Sequence, residues 1–379
     1  MALDTMAGLR PSFTSDHATC RPGGALLAET GRREAPLDVQ ALMTTAERLF
    51  AGDRGLLAMD ESTPSCNRRF AALGIAQTEE ARRAWREVIV TTPGLGEAIS
   101  GAILYDETIR QSTTSGVAFT RVLEDAGIIP GIKVDLGAKD LAGHPGETIT
   151  EGLDGLRERF AEYAGMGARF AKWRGVIHLG DGLPSQGCLD ANANALARYA
   201  ALAQEAGLVP IVEPEVLMDG DQGLEDCGRV TERVLHTVFE QLYRQRVVLE
   251  GMILKPNMIT PGLACPIQAS VDQVAEATVD CLRRAVPAAV PGIAFLSGGQ
   301  SDELASERLN AMSLLIKAPG ARAPWALTFS YGRALQRLAL ELWRGDAAKV
   351  SAAQKALYHR ASCNRAARRG EYSAAMETA

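Results

Sequence analysis

Lysine is scarce in this chain: of its forty basic residues only seven are lysines, and thirty-three are arginines. Histidine is scarcer, with five residues and no HxH or HxxxH pair, so a metal-dependent reaction lacks its usual cluster of imidazole ligands. The seven cysteines are odd in number and never fall in CxxC spacing, which excludes a zinc ribbon or a disulfide scaffold and reads as reduced thiols in a cytoplasmic protein. No apolar run approaches the ~20 residues that span a bilayer. A net charge of −6 and a pI near 5.6 argue against nucleic acid or an anionic membrane as the main partner, while leaving room for a local basic pocket. Residues 1–37, rich in Gly, Ser, Thr, Pro and Arg, read as a poorly ordered arm. Plastid targeting by this arm is disfavoured by Asp4, Asp16, Glu29 and Glu34, because transit peptides are poor in acid.

What the chain does contain is a repeated unit. Eight short apolar segments recur at 55–60, 100–106, 128–135, 168–174, 208–215, 251–257, 292–297 and 325–330, separated by amphipathic helical patterns such as 78–90, 191–206, 224–243 and 270–284. The spacing is that of one strand, one helix and two loops. Eight such units with no linker between halves, and no GxGxxG after the first strand, predict an α/β fold of the (β/α)8 TIM-barrel type over residues 38–345. Residues 346–379 then form a further helix and a short tail.

Three of the seven lysines, Lys133, Lys172 and Lys255, end apolar segments of this pattern. In a (β/α)8 barrel those ends line the active-site face. An amine can lose its proton and attack a carbonyl carbon, which a guanidinium cannot do. Strand alternation puts Lys172 with Arg174, Glu213 with Glu215, and Lys133 with Asp135 on shared faces. So many charges in a barrel lumen must pair across a polar mouth, since each left unpaired costs several kcal/mol. Asp60 ends the first segment. Ser297-Gly298-Gly299-Gln300 after the seventh segment and Ser330-Tyr331-Gly332-Arg333 after the eighth suit a phosphate held on backbone amides and a guanidinium. Ser62 and Ser65, followed by Arg68 and Arg69, offer a second anion site beyond the first segment. An amine, neighbouring carboxylates and two anion sites imply a phosphorylated carbonyl substrate. Composition alone does not choose among the three lysines, although Met252, Ile253 and Leu254 give Lys255 the most apolar approach.

The segments Leu-Ala-Met-Asp60-Glu-Ser, Gly-Ile-Lys133-Val-Asp, Phe-Ala-Lys172-Trp-Arg174, Glu213-Pro-Glu215, Leu-Lys255-Pro-Asn, Leu-Ser297-Gly-Gly-Gln and Ser-Tyr-Gly-Arg333 together resemble class I fructose-bisphosphate aldolase, in order, from about residue 38 to about 372. The resemblance implies reversible cleavage of fructose 1,6-bisphosphate to dihydroxyacetone phosphate and glyceraldehyde 3-phosphate through a lysine imine, with no metal and no cofactor. It implies that Lys255 forms the Schiff base, that Glu213 shuttles the proton of carbinolamine dehydration with Lys172 and Glu215 setting its field, and that Asp60 acts on the C4 hydroxyl. It further implies that Ser297, Gly298, Gly332 and Arg333 bind the C1 phosphate, and that Ser62, Ser65, Lys133 and Arg174 lie on the C6-phosphate side. A homotetramer is the assembly it implies. Sedoheptulose 1,7-bisphosphate is an alternative substrate for the same chemistry. A non-catalytic scaffold would be expected to have lost Lys255 or Glu213, and both are present. Two departures stand out: Pro64 occupies a loop position where the family has a smaller residue, and no tyrosine ends the chain, whose last is Tyr372. The second departure leads to the expectation that carbanion protonation is slow or falls to another group.

Overall fold

The computed structural model describes residues 37–321 and 323–378; the N-terminal arm expected at 1–37 lies almost wholly outside them. Eight parallel strands close into a barrel: β1 Gly55–Ala58, β2 Ile99–Leu104, β3 Ile129–Lys133, β4 Phe170–Ile177, β5 Val209–Val216, β6 Ile253–Leu254, β7 Gly292–Phe295 and β8 Ala326–Tyr331. Each pairs with its sequence neighbours, and Leu56 opposite Ser330 joins the first strand to the last. Every segment read from the sequence as a strand is one.

A first helix, α1 Val39–Phe50, precedes β1, and its N-terminus is capped by the Asp38 carboxylate on the Ala41 amide. Helices α2 Thr63–Ala72 and α3 Glu79–Val90 follow β1, and α4 Asp106–Ile109 and α5 Phe119–Asp125 follow β2. Then α6 Leu156–Gly165, α7 Gln186–Glu205, α8 Leu224–Arg244, α9 Val271–Ala285, α10 Asp302–Lys317 and α11 Arg333–Trp343 each follow one strand. The last long helix, α12 Val350–Arg369, packs on α10 and α11 within the same compact unit. Its Arg365 and Arg369 bond Asp53, and Arg368 bonds the carbonyls of Phe50 and Arg54, at the chain entry to β1.

Two details depart from the expected pattern. Helix α7 begins at Gln186 and not at Ala191, because Ser185 caps the Cys188 amide and starts the helix over a Gly-containing turn that reads as loop. A two-stranded antiparallel ribbon, Ala138–Asp140 with Thr148–Thr150, stands in the connection after β3 and was not anticipated. Pro64 sits in the first turn of α2, where the missing N–H has no helical partner to lose. No helix among the described residues is long and apolar enough to cross a membrane.

The lower part of the lumen is apolar. Leu56, Ile103, Ile129, Phe170, Ile211 and Ile253 form one buried cluster with Leu42, Ala46, Leu49 and Phe50 of α1, which plugs that end. The Phe170 ring fits there because Gly131 faces it: a Cβ at Gly131 would stand 2.3 Å from the ring. The opposite strand faces, including Ile132, Ala171, Trp173, Val212 and Leu254, pack outward in the larger core shared with the helices.

Candidate active site

At the C-terminal ends of the strands the lumen opens into a cavity of about 730 Å³. Asp60, Lys133, Lys172, Arg174, Glu213, Glu215 and Lys255 all line it, as do Ser62, Ser65, Ser297, Gly298, Gly332 and Arg333. The fold therefore gathers these expected residues, and Arg69 with them, into one space, while Arg68, Gly299 and Gln300 do not line it.

Its centre is a chain of charges. Lys172 Nζ lies 2.7 Å from Asp60 Oδ2 and 3.2 Å from Glu213 Oε2, while Lys255 Nζ lies 2.8 Å from Glu213 Oε1. Lys172, Glu213 and Lys255 side chains are only 4–5 % exposed, so these charges persist because they pair. Burial works against the Lys172 charge, but Asp60, Glu213 and Asp135 outweigh it and hold the ammonium above the ordinary lysine range. Burial likewise pushes Asp60 up, and the charges of Lys172, Lys255 and Lys133 more than reverse this, keeping the carboxylate ionised well below its usual range. Glu213 is lowered by the same contest, with Lys172, Lys255 and Arg174 overcoming desolvation. Although Lys172 is close, Glu213 Oε2 accepts no aligned hydrogen bond.

Towards the third and fourth strands, Lys133 Nζ meets Asp135 Oδ1 at 2.6 Å and the Asp135 carbonyl at 2.7 Å. Asp135 also accepts the amides of Gly137 and Arg174. Arg174 Nε donates to Glu215 Oε2. Burial disfavours the Arg174 charge, and Glu215 overrides it, so this guanidinium stays protonated.

The two expected anion sites flank this core. On one side Arg333, the first residue of α11, donates to the Gly298 carbonyl at 2.6 Å and ties the loops after β7 and β8 together. Gly298 has φ +56, a left-handed conformation that a side chain resists, and this turn aims the loop at the cavity. On the other side Ser62 Oγ donates to Ser65 Oγ at 3.1 Å in the first turn of α2, and Arg68 reaches Ser65 at the same distance.

Ser330, which opens the Ser-Tyr-Gly-Arg segment without being among the expected phosphate ligands, is a further candidate. It lines the cavity at the end of β8, is 1 % exposed, and its Oγ has no hydrogen-bond partner among the described residues. Its sequence signal was its place in the Ser-Tyr-Gly-Arg segment; the unpartnered hydroxyl is visible only in three dimensions. Elsewhere His359, Cys363 and Glu377 bring their ligand atoms within 4.8 Å of one another, but none of them lines the cavity, and Glu377 already accepts from Arg360 and Tyr372. Tyr372 is buried in that cluster and does not line the cavity either.

Comparison with known proteins gives one answer. Residues 41–379 match the family described as fructose-bisphosphate aldolase class-I. A protein of Xanthomonas campestris pv. campestris named probable fructose-bisphosphate aldolase class 1 is 55% identical over 337 residues, spanning 89% of this chain and 99% of that one. Human fructose-bisphosphate aldolase C is 49% identical over 89% of this chain and 92% of its own. The cytosolic fructose-bisphosphate aldolase 4 of Arabidopsis thaliana is 48% identical, over 90% and 86% respectively. Among solved structures, the Plasmodium falciparum fructose-bisphosphate aldolase, in complex with TRAP and a small-molecule inhibitor, superposes with a TM-score of 0.86 at 45% identity, over 88% of this chain and 95% of that one. With its barrel, its strand-end lysines and carboxylates and these likenesses, the chain belongs to the class I fructose-bisphosphate aldolases.

Proposed function

We propose that this lyase cleaves fructose 1,6-bisphosphate with Lys255 as the Schiff-base amine, and that the carrying observation is the unequal pairing of the three lumen lysines. Lys172 is locked as an ammonium between two carboxylates, and Lys133 pairs with Asp135 on the C6-phosphate side, away from Glu213. Lys255 pairs with one carboxylate among the described residues, Glu213, which is placed to take and return its proton.

In this reading the Lys255 amine adds to the C2 carbonyl, and Glu213 delivers a proton to the carbinolamine hydroxyl, which leaves as water. Lys172, fixed beside Glu213 Oε2, sets the field for that transfer, and Glu215 holds Arg174 in place. Asp60, held ionised, takes the C4 hydroxyl proton as the C3–C4 bond breaks. The bonding pair flows into the protonated imine to give an enamine, and glyceraldehyde 3-phosphate departs. Protonation at C3 and hydrolysis then release dihydroxyacetone phosphate and restore the amine. The C1 phosphate is received by Ser297, Gly298, Gly332, Arg333 and Ser330, whose buried hydroxyl has no hydrogen-bond partner among the described residues and is available to the phosphate. The C6 phosphate is received by Ser62, Ser65, Lys133 and Arg174. A cytoplasmic setting agrees with the free thiols of the described cysteines, and the family resemblance implies a homotetramer.

Borohydride added with dihydroxyacetone phosphate tests this reading. The expected result is a stable adduct on the peptide bearing Lys255, with cleavage activity indifferent to EDTA. An adduct on Lys133 or Lys172, or loss of activity in EDTA, would contradict it.

A further inference from the structure

The residue after Asp60 is a carboxylate with three side-chain partners, and the reaction as derived above makes no use of it. Strand β1 ends at Ala58, and Met59 is the last residue whose amide bonds a neighbouring strand, at the Ile103 carbonyl. Asp60 and Glu61 therefore stand beyond the sheet. Asp60 turns inward to Lys172. Glu61 is bound by three helices: Arg69 of α2 meets Oε1 at 2.5 Å, Arg86 of α3 meets Oε2 at 2.7 Å, and the Gln336 amide of α11 meets Oε1 at 3.1 Å. Arg86 also donates to the Glu61 carbonyl at 3.3 Å, and Gln336 to the Ala58 carbonyl at 2.7 Å. The side chains of Glu61 and Arg86 are 8 % and 3 % exposed. A carboxylate buried this deeply is tolerated only when fully paired, so its geometry is fixed with little latitude.

We infer that Glu61 is a positioning residue for carbon–carbon bond cleavage: anchored to α2, α3 and α11, it fixes the backbone beyond the end of β1 on which Asp60 is presented to the C4 hydroxyl. This rests on the role given to Asp60 above. Imine formation at Lys255 uses Glu213 of β5 and the end of β6, which reach Asp60 only through Lys172, so it is expected to feel a shift of Asp60 far less than bond cleavage does. A shift of about 1 Å in a catalytic group can cost on the order of 100-fold in rate. A residue that merely stabilised the fold would not separate the two half-reactions, and Glu61 is expected to.

The experiment compares Glu61→Gln, Glu61→Asp and Asp60→Asn with the wild type in two assays. One is kcat for cleavage of fructose 1-phosphate, which carries no C6 phosphate and so is indifferent to displacement of Ser62 and Ser65. The other is borohydride trapping of the imine with dihydroxyacetone phosphate. Glu61→Gln is expected to lower kcat by about 10- to 100-fold while trapping stays within two-fold of wild type, and Glu61→Asp, which keeps the charge, recovers part of the loss. Should Glu61→Gln not fold, Gln336→Met removes one tie without stranding a charge and is expected to show the same split at smaller size. Unchanged kcat, or cleavage and trapping falling together, overturns the inference. If Asp60→Asn itself cleaves normally, it is the role of Asp60 that fails; if Asp60→Asn loses cleavage while Glu61→Gln keeps it, only the positioning role fails. Glu61 also has a pH signature. Burial raises its carboxyl and Arg86 and Arg69 more than reverse this, so its stabilising effect is complete above the ordinary carboxylate pKa of about 4.3 and fades as pH falls below it. The stability gap between wild type and Glu61→Gln is therefore expected to be full at pH 7 and to narrow in acid.

Discussion

The two halves of the lumen are built from the same strands and differ in chemistry: the lower is apolar, the upper is dominated by charged and polar side chains. Reading up one face, β4 runs Phe170, Lys172, Arg174; β5 runs Val209, Ile211, Glu213, Glu215; and Ile253 on β6 is followed by Lys255. The lower members form a dry cluster with α1, while the upper ones form an ion-pair chain around an open cavity. One alternation step, about 6.6 Å of strand, separates them. Below that step burial itself stabilises, at roughly 25 cal/mol per Å² of apolar surface. Above it burial costs free energy, which pairing offsets and which in turn sets the protonation states the reaction needs. Stability and chemistry therefore divide by height in the barrel. The same lysine side chain is tolerated or ruinous according to which layer holds it.

The largest expected effect breaks that division directly. Ile253→Lys puts an amine one layer below Lys255, on the same face of the same strand, where no described carboxylate is part of the cluster. It is expected to lower unfolding free energy by roughly 4–5 kcal/mol or to prevent folding, as read by urea denaturation. Wild-type stability in that variant would show that the lower lumen is not closed to charge. A small effect sharpens the comparison from above. Ser330→Ala removes a buried hydroxyl without a partner, so stability is expected to hold or rise slightly, while KM for fructose 1,6-bisphosphate rises about two- to five-fold, less than ~1 kcal/mol. An unchanged KM would remove Ser330 from the phosphate site.

The barrel was legible because its signals are local. Apolar strand segments, helical periods between them and polar residues at strand ends are all properties of neighbouring residues. Lys255 announces itself even though its strand, Ile253–Leu254, is only two residues long, because the apolar run before it extends back to Met252. What escaped notice depends on distant partners. The pairing of Glu61 needs Arg86, twenty-five positions on, and Gln336, which lies 275 positions on. Ser330 looks like any strand serine until its hydroxyl proves to be buried without a hydrogen-bond partner among the described residues. The start of α7 was missed for a local reason of the opposite kind: Gly187 in the first turn masks a helix that the Ser185 cap secures. The pairing of lysines with carboxylates was anticipated as a class, but which carboxylate each lysine takes follows from strand stagger. It is this choice that separates Lys172, held charged between Asp60 and Glu213, from Lys255.

The central claim is that, of the three lumen lysines, only Lys255 must act as an amine. The most direct measurement is kcat for fructose 1,6-bisphosphate in Lys255→Arg beside Lys133→Arg, with both variants checked for wild-type unfolding midpoints. The account predicts no turnover above background in Lys255→Arg. In Lys133→Arg, which keeps the charge that binds phosphate, it predicts a loss on the order of ten-fold in kcat/KM. Residual turnover in folded Lys255→Arg, or a Lys133→Arg enzyme equally inactive, would contradict it.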